Sequence, residues 1–290
     1  MTIQAPLSYI GQFDKARRAL RQRALKPILL GVRSFREVIL NAISAENHLI
    51  YCRSEHGNFF IDPSDRVIGS WLLWRGKWQL EEIEQAIRIL KQIDPEGGVF
   101  VDAGANIGTH TVYAMRSGYF SRSISFEPEP KNANLLRMNI AANGIEQSTV
   151  VQSALGSGSK TATLHIHPRN KGAHSIGSSP CSDSTEQVSV PVVRLDDALS
   201  ANNVQRDQIG LVWVDVEGAE FDVISGLGSY IGRPIALEFY PSRYSAKQLA
   251  DLRTILKQSY RSLYRLGAAE TEEPIDAIDT IKKPTDLLVI

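Results

Sequence analysis

Residues 99–109 read Val99-Phe100-Val101-Asp102-Ala103-Gly104-Ala105-Asn106-Ile107-Gly108-Thr109, a short apolar run that ends on an acid and breaks into a glycine turn. A continuous apolar run of this length suits a strand buried on both faces. Gly104 and Gly108 suit a tight strand-to-helix turn whose backbone must come close to a ligand. The dinucleotide fingerprint is not met, because its second and third glycines, counted from Gly104, fall on Asn106 and Thr109. Those side chains would crowd a pyrophosphate at the helix start. A cofactor with an adenosine and no phosphates fits the turn better, and S-adenosylmethionine is such a molecule.

The same texture recurs downstream. The runs SISFE (123–127), TVVQS (149–153), IGLVWVD (209–215) and PIALEFY (234–240) are apolar and β-rich, and most are separated by helical patterns. That alternation predicts an α/β fold with a parallel sheet and helices on both faces. The helix that includes Arg137 should stop at Asn143-Gly144. YRSLYRL (260–266) and DLLVI (286–290) supply two further strands, the last a candidate to close an edge. One stretch breaks the alternation. TATLHI (161–166) and QVSVPVV (187–193) look like hairpin arms, joined through a Gly-, Ser- and Pro-rich segment over 167–186. Loops that long are usually functional or disordered, and the segment is a candidate lid, with Arg169, Asn170, Lys171 and His174 as groups able to grip an acceptor.

Strand ends carry the candidate chemistry, because ligands of open α/β sheets bind outside the carboxyl ends of the strands. Glu127 ends the second strand, 23 residues after Gly104, where an acid can accept both ribose hydroxyls of an adenosine. Asp215-Val216-Glu217-Gly218-Ala219-Glu220 ends the fourth, and Glu238 lies near the end of the fifth. Three carboxylates so close must be solvated, hydrogen-bonded or paired with a cation. Helix capping is the plainer role for Glu220. His165-x-His167 puts two imidazoles on one strand face with His174 nearby, and Asp196, Asp197 and Asp215 could be read as a magnesium set. A polar hairpin face and a helix start with Asp196 as its cap are the preferred readings, so no metal is expected.

Upstream, WLLWRGKW (71–78) clusters three tryptophans expected in the core or between packed units, and Leu80, Ile83, Ile87 and Leu90 mark an amphipathic helix that ends at Asp94-Pro95. Short apolar runs between His48 and Ile61 suit a hairpin. Residues 1–36 hold eight basic residues against one acid, although the 290-residue chain balances 32 Lys plus Arg against 32 Asp plus Glu. The thin apolar stripe within 8–26 favours a solvated helix capping the domain; the alternative is contact with an anionic membrane surface or partner. Zero net charge argues against nucleic acid as a partner. Cys52 and Cys181 form no CxxC pair, and no apolar run reaches the length of a membrane span. A soluble, reduced, cytoplasmic protein is the expectation, with homo-oligomerisation left open. The expected divisions are a basic N-terminal extension over 1–45, a hairpin and helix over 46–95, and a main domain over 96–290 with the inserted lid at 157–193.

Taken together, VDAGANIG, FEPEP followed by a helix ending in Asn-Gly, RLDDAL and above all DVEGAE resemble the FkbM family of S-adenosylmethionine-dependent methyltransferases. The resemblance covers roughly residue 57 to the end, strongest in 99–156 and 192–240. It implies a Rossmann-like, doubly wound, mostly parallel sheet of the class I methyltransferase type with an antiparallel last strand, here behind an N-terminal helical and hairpin extension. By position it implies that Asp102, Gly104, Asn106 and Gly108 shape the cofactor pocket, that Glu127 holds the ribose, and that Ser153 and Ala154 border adenine. Family members typically methylate hydroxyls of sugars, polyketides and other natural products, so a small hydroxylated or glycosylated acceptor is implied. The hydroxyl proton must be removed as the oxygen attacks. Asp215, also within the cofactor pocket, is the first candidate for that base, Glu217 the second and His174 the third. A nicotinamide-dependent oxidoreductase and a non-catalytic binding protein on the same fold are the alternatives; the missing glycines oppose the former and the intact set of pocket residues the latter.

Overall fold

The computed structural model describes residues 33–44, 49–176 and 186–290, and the basic stretch 8–26, Cys181 and the second half of the expected lid lie outside them. The chain forms helix α1 (Arg33–Ser44), an antiparallel hairpin of β1 (Ile50–Arg53) and β2 (Asn58–Ile61), and helices α2 (Ile68–Arg75) and α3 (Leu80–Ile93). Then come β3 (Val99–Ala103), α4 (Thr109–Arg116), β4 (Arg122–Phe126), α5 (Pro130–Ala142) and β5 (Ser148–Val151). An insertion supplies β6 (Ala154–Gly156), β7 (Lys160–His165), β8 (Ser175–Ile176) and β9 (Gln187–Arg194). The alternation resumes with α6 (Leu195–Ala201), β10 (Ile209–Val214), α7 (Glu220–Ser225), β11 (Ile235–Phe239), α8 (Ala246–Ser259), β12 (Ser262–Arg265), β13 (Glu273–Pro274) and β14 (Thr285–Val289). No helix among the described residues is long and apolar enough to cross a membrane.

The eight-stranded sheet has the order β13-β12-β14-β11-β10-β3-β4-β5, and its five strands from β11 to β5 run parallel. The chain winds outward from β3 to β5, then returns to lay β10 on the other side of β3. Between β3 and β10 lies the topological switch point, where helices leave on opposite faces and a crevice opens. Side chains on the two faces of the parallel strands enter different cores. Val101, Ile124, Val212 and Leu237 pack with Leu199, Leu252 and Leu256, whereas Phe100, Leu211 and Trp213 pack with Ile83, Ile87, Leu90 and Val112. Burying one such side chain is worth about 1.5–3 kcal/mol, which explains why these strands read as unbroken apolar runs.

Several expectations are corrected. The last strand does not close an edge: β14 is inserted between β11 and β12, antiparallel to both. Trp71 is not in the core; it is 49% exposed, with Trp78 edge-on at 5.8 Å and Arg75 over its ring. Asp196 does not cap α6. Arg194 stands at that position, and its guanidinium grips the Asp196 carboxylate at 3.0 and 2.7 Å. The hairpin arms β7 and β9 do pair antiparallel, yet they belong to a separate four-stranded sheet of order β6-β9-β7-β8. Its first strand follows β5 directly and its last comes from within the long loop.

The N-terminal hairpin is held by side chains imitating a strand. Asn139 and Asn143, four residues apart on α5, are spaced about 6 Å along the helix, close to the two-residue repeat of a strand. Asn143 accepts from Asn58 N at 2.9 Å and donates to Asn58 O at 2.7 Å. Asn139 accepts from Phe60 N at 2.6 Å, and its amide donates to Phe60 O at 3.2 Å and Ile107 O at 2.7 Å. The free edge of β2 is thereby paired. Replacing the fully buried Asn139 by alanine leaves several backbone groups unpaired at about 1–3 kcal/mol each, so Asn139→Ala should cost about 2–4 kcal/mol in urea unfolding. A loss below about 0.5 kcal/mol would show that the edge pairing contributes nothing.

Candidate active site

The glycine turn is built by close approach. At Gly104 φ is +90°, and a Cβ there would overlap the Asp215 carbonyl, so β3 and β10 end in contact. The Gly104 and Ala105 amides donate to Phe126 O at 3.0 and 2.9 Å, which fixes the turn to the end of β4. Gly108, with φ +88°, opens α4 where a side chain would strike Leu136. Asn106 between them has φ +51°, a left-handed conformation that asparagine tolerates better than most residues. All its polar groups except its carbonyl are engaged. Its N–H donates to Glu127 Oε2 at 2.9 Å, its Oδ1 accepts from Ile107 N at 2.7 Å, and its side-chain amide donates to Lys171 O at 2.7 Å.

A cleft opens beside this turn. It brings together Gly104, Asn106, Glu127, Ser153, Ala154, Asp215, Glu217 and His174. Gly108 and Asp102 do not line it. The Asp102 side chain sits under the turn, 2.5 Å from Thr111 Oγ1, and fastens α4 to β3; burial pushes its carboxyl up to about 7. Glu127 is pinned through both oxygens, by Asn106 N and by Glu129 N at 2.8 Å. A carboxylate offers about four acceptor positions, so two remain for a ligand. Burial raises its carboxyl to about 8 against the two amide bonds that lower it. Ser153 Oγ is buried without a partner among the described residues.

Opposite stands a crowd of carboxylates. Asp215 is held well above the ordinary carboxylate range, first by burial and then by the charges of Glu217, Glu238, Asp286 and Glu220. Glu217 occupies a left-handed conformation, φ +52°, which costs a non-glycine residue about 1–3 kcal/mol. Its partner is Arg243, absent from the sequence-based expectations. Arg243 Nη2 lies 3.0 Å from Glu217, its Nη1 donates to Glu238 at 2.6 Å, and the guanidinium stacks 4.4 Å over the Tyr240 ring. Only one signal pointed to it: three strand-end acids need a cation, and the loop after the neighbouring strand is where one can reach them. Glu220 is spoken for, accepting from Gly218 N at 2.9 Å and Tyr244 OH at 3.2 Å.

His174 lines the cleft. Its Nδ1 accepts from His167 N at 3.0 Å, which puts the proton of the neutral ring on Nε2, a buried atom with no partner. Burial lowers its ring to about 4. His167 Nδ1 is used by the Arg169 and Asn170 amides at 3.2 and 3.0 Å. Among the described residues no group of three histidine, cysteine or carboxylate side chains is arranged to hold a metal. A wider groove, about 1470 Å³, joins the cleft at Leu155, Ile176, Glu217 and Ala219 and is walled by the inserted sheet and the start of α7.

A family profile described as the methyltransferase FkbM domain matches residues 102–264. "Methyltransferase 1" of Beauveria bassiana is 30% identical over 172 residues, which cover 52% of this chain and 68% of that protein. The "2-O-methyltransferase NoeI" of Sinorhizobium fredii is 27% identical over 158 residues, 49% of this chain and 61% of that one. Magnesium protoporphyrin IX methyltransferase from Synechocystis overlaps 77% of this chain and 83% of its own at a TM-score of 0.41 and 14% identity. Curated relatives are thus matched over about two thirds of their length.

The site leaves a signature in stability. Glu127 is raised to about 8 in the fold from 4.5, so its neutral form stabilises the free protein fully below about 4.5, and that contribution is lost as pH rises through about 8. Chemical unfolding should show stability falling from about pH 5 to about pH 9, and less steeply in Glu127→Gln. Parallel curves for the two proteins would show that Glu127 is not held neutral.

Proposed function

The chain belongs to the FkbM family of methyltransferases, and from that premise we propose that it transfers the methyl group of S-adenosylmethionine to a hydroxyl of a small sugar-like, glycosylated or other natural-product acceptor. What carries this reading is the meeting, in one cleft, of Glu127 beside the glycine turn and Asp215 at the end of β10. The two carboxylates suit different tasks. Glu127, with two free acceptor positions, takes the ribose hydroxyls, and those two donors favour its ionised form, so cofactor binding releases a proton at neutral pH. Ser153 Oγ gains a partner on the adenine side.

When bound, S-adenosylmethionine supplies a methyl group already electrophilic on its sulfonium. The remaining task is to align an oxygen behind that methyl and take its proton. Asp215 is the base in its ionised form: a positive sulfonium in the same cleft would favour release of its own proton to solvent, and burial among like charges then gives the carboxylate a raised affinity for the hydroxyl proton. Glu217 shares its charge with Arg243, and this suits it to orienting the acceptor at the junction of cleft and groove. His174 presents Nε2–H and supports the acceptor oxygen as a donor. The rest of the acceptor lies in the wider groove. Oxygen as the target is supported by the name of the Sinorhizobium relative, a 2-O-methyltransferase.

Calorimetric titration tests the reading. S-adenosylmethionine and S-adenosylhomocysteine should bind and NADH should not. In a methyl-transfer screen over hydroxylated glycosides, Asp215→Asn should keep cofactor affinity and lose about 10²–10⁴-fold in rate, the usual share of a general base. Heat on NADH addition with none for S-adenosylmethionine would overturn the assignment, and full activity of Asp215→Asn would remove Asp215 as the base.

A further inference from the structure

After β7 the chain does not swing free. Residues 166–174 cross the mouth of the cleft before β8 rejoins the inserted sheet, and Lys171, Gly172, His174 and Ile176 form part of the cleft wall. Hydrogen bonds from three separate elements converge on this strap. The Lys171 carbonyl accepts from the side-chain amides of Asn106 and Asn132 at 2.7 and 3.0 Å. The Lys171 N–H points at Asp65 Oδ1, 3.5 Å away, and the Arg66 N–H donates to the Arg169 carbonyl at 2.8 Å. Gly172 lies so close to Ile68 that a Cβ would stand 3.0 Å from its Cδ1.

The supports are themselves fixed. Asp65 is buried and takes the Val67 and Gly69 amides at 3.0 and 2.8 Å, which leaves its carboxylate no freedom to turn. Asn132 is buried in the first turn of α5, its N–H bonded to Glu129 Oε2 at 2.6 Å. Asn106 links the strap to the ligand site, because its backbone N–H holds Glu127 while its side chain holds Lys171. A segment fastened by a few polar bonds over a largely half-buried backbone opens at far lower cost than the central strands.

We propose that Asp65 and Asn132 are positioning residues that hold the 166–174 strap as the outer wall of the cofactor cleft, so that cofactor enters and leaves when the clasp on the Lys171 peptide opens. The proposal rests on the S-adenosylmethionine reading. It gives the segment before α2, which lies outside the region matched by the methyltransferase profile, a part in cofactor retention.

The test uses the full chain and S-adenosylhomocysteine as probe. In Asn132→Ala, amides of 167–176 should exchange roughly fivefold faster, the factor one neutral hydrogen bond is worth, with exchange in β3 and β4 unchanged. Dissociation of S-adenosylhomocysteine should quicken by a similar factor, and Asn132→Gln, with the same amide on a longer stem, should recover part of both losses. Asp65→Asn, which turns an amide donor toward the Val67 and Gly69 N–H groups, should act in the same direction and serves if Asn132→Ala does not fold. Strap exchange and dissociation both unchanged in the folded variants would overturn the proposal, as would a strap that exchanges in the parent like an unstructured peptide. If the parent binds no S-adenosylhomocysteine, the methyltransferase reading fails by itself, and the exchange data still decide whether the clasp holds the strap.

Discussion

The structure turns on the contact between Gly104 and the carbonyl of Asp215. Two strands that are neighbours in the sheet, but more than a hundred residues apart in sequence, end against one another where only a hydrogen atom fits. That contact sets the floor of the cleft. Because the chain leaves β3 in one direction and reaches β10 from the other, the turn after β3 and the acids after β10 open the same crevice. A larger residue at position 104 would part the two strand ends and separate Glu127 from Asp215. The bond from Asp215 N to Ala103 O, 2.9 Å, closes the same seam.

Around this floor the molecule accepts electrostatic cost. Asp215, Glu217, Glu220, Glu238 and Asp286 repel one another, and Arg243 is the cation that reaches Glu217 and Glu238. Glu220 is raised too, chiefly by burial, although its bonds from Gly218 and Tyr244 satisfy both its oxygens. Asp215 has no such outlet among the described residues, and its carboxyl is held well above the ordinary range. An array of this kind is poor design for stability alone, since buried like charges gain nothing in folding, and it is the pattern expected where proton affinity is tuned for chemistry. Glu127 shows a second kind of tuning. Its charge is suppressed by burial yet prepared for by two backbone donors, so ligand hydroxyls can tip it toward the ionised form.

Much of this was legible in the residues. The parallel sheet followed from apolar runs with no polar face, and Gly104, Glu127 and Asp215 were identifiable because a strand-end position in a βα unit has a fixed place in space. Ser153 and Ala154 were implied only by the resemblance to the family. What escaped was whatever reaches the site across the fold. Arg243 acts on Glu217 from the loop after another strand, and Asp65 meets Lys171 from the segment before α2. Neither carries a pattern in its own neighbourhood. The three residues of β6 are too few to display a period, so the second sheet looked like a lone hairpin. Asp102, which the resemblance places among the residues that shape the pocket, has its side chain on Thr111 under the turn. His174 was the third candidate for the base, as a lid residue; which of its nitrogens carries the proton depends on the amide of His167, a contact no spacing encodes.

The central claim is that one cleft, floored by Gly104 and walled by Glu127 and Asp215, holds S-adenosylmethionine. A crystal structure of the chain with S-adenosylhomocysteine tests it most directly. The account predicts both ribose hydroxyls within hydrogen-bond distance of the Glu127 carboxylate, the adenine beside Ser153 and Ala154, and the sulfur on the Asp215 side of Gly104. Electron density for the ligand in the wider groove or elsewhere, with Glu127 still bonded only to its two amides, would contradict it.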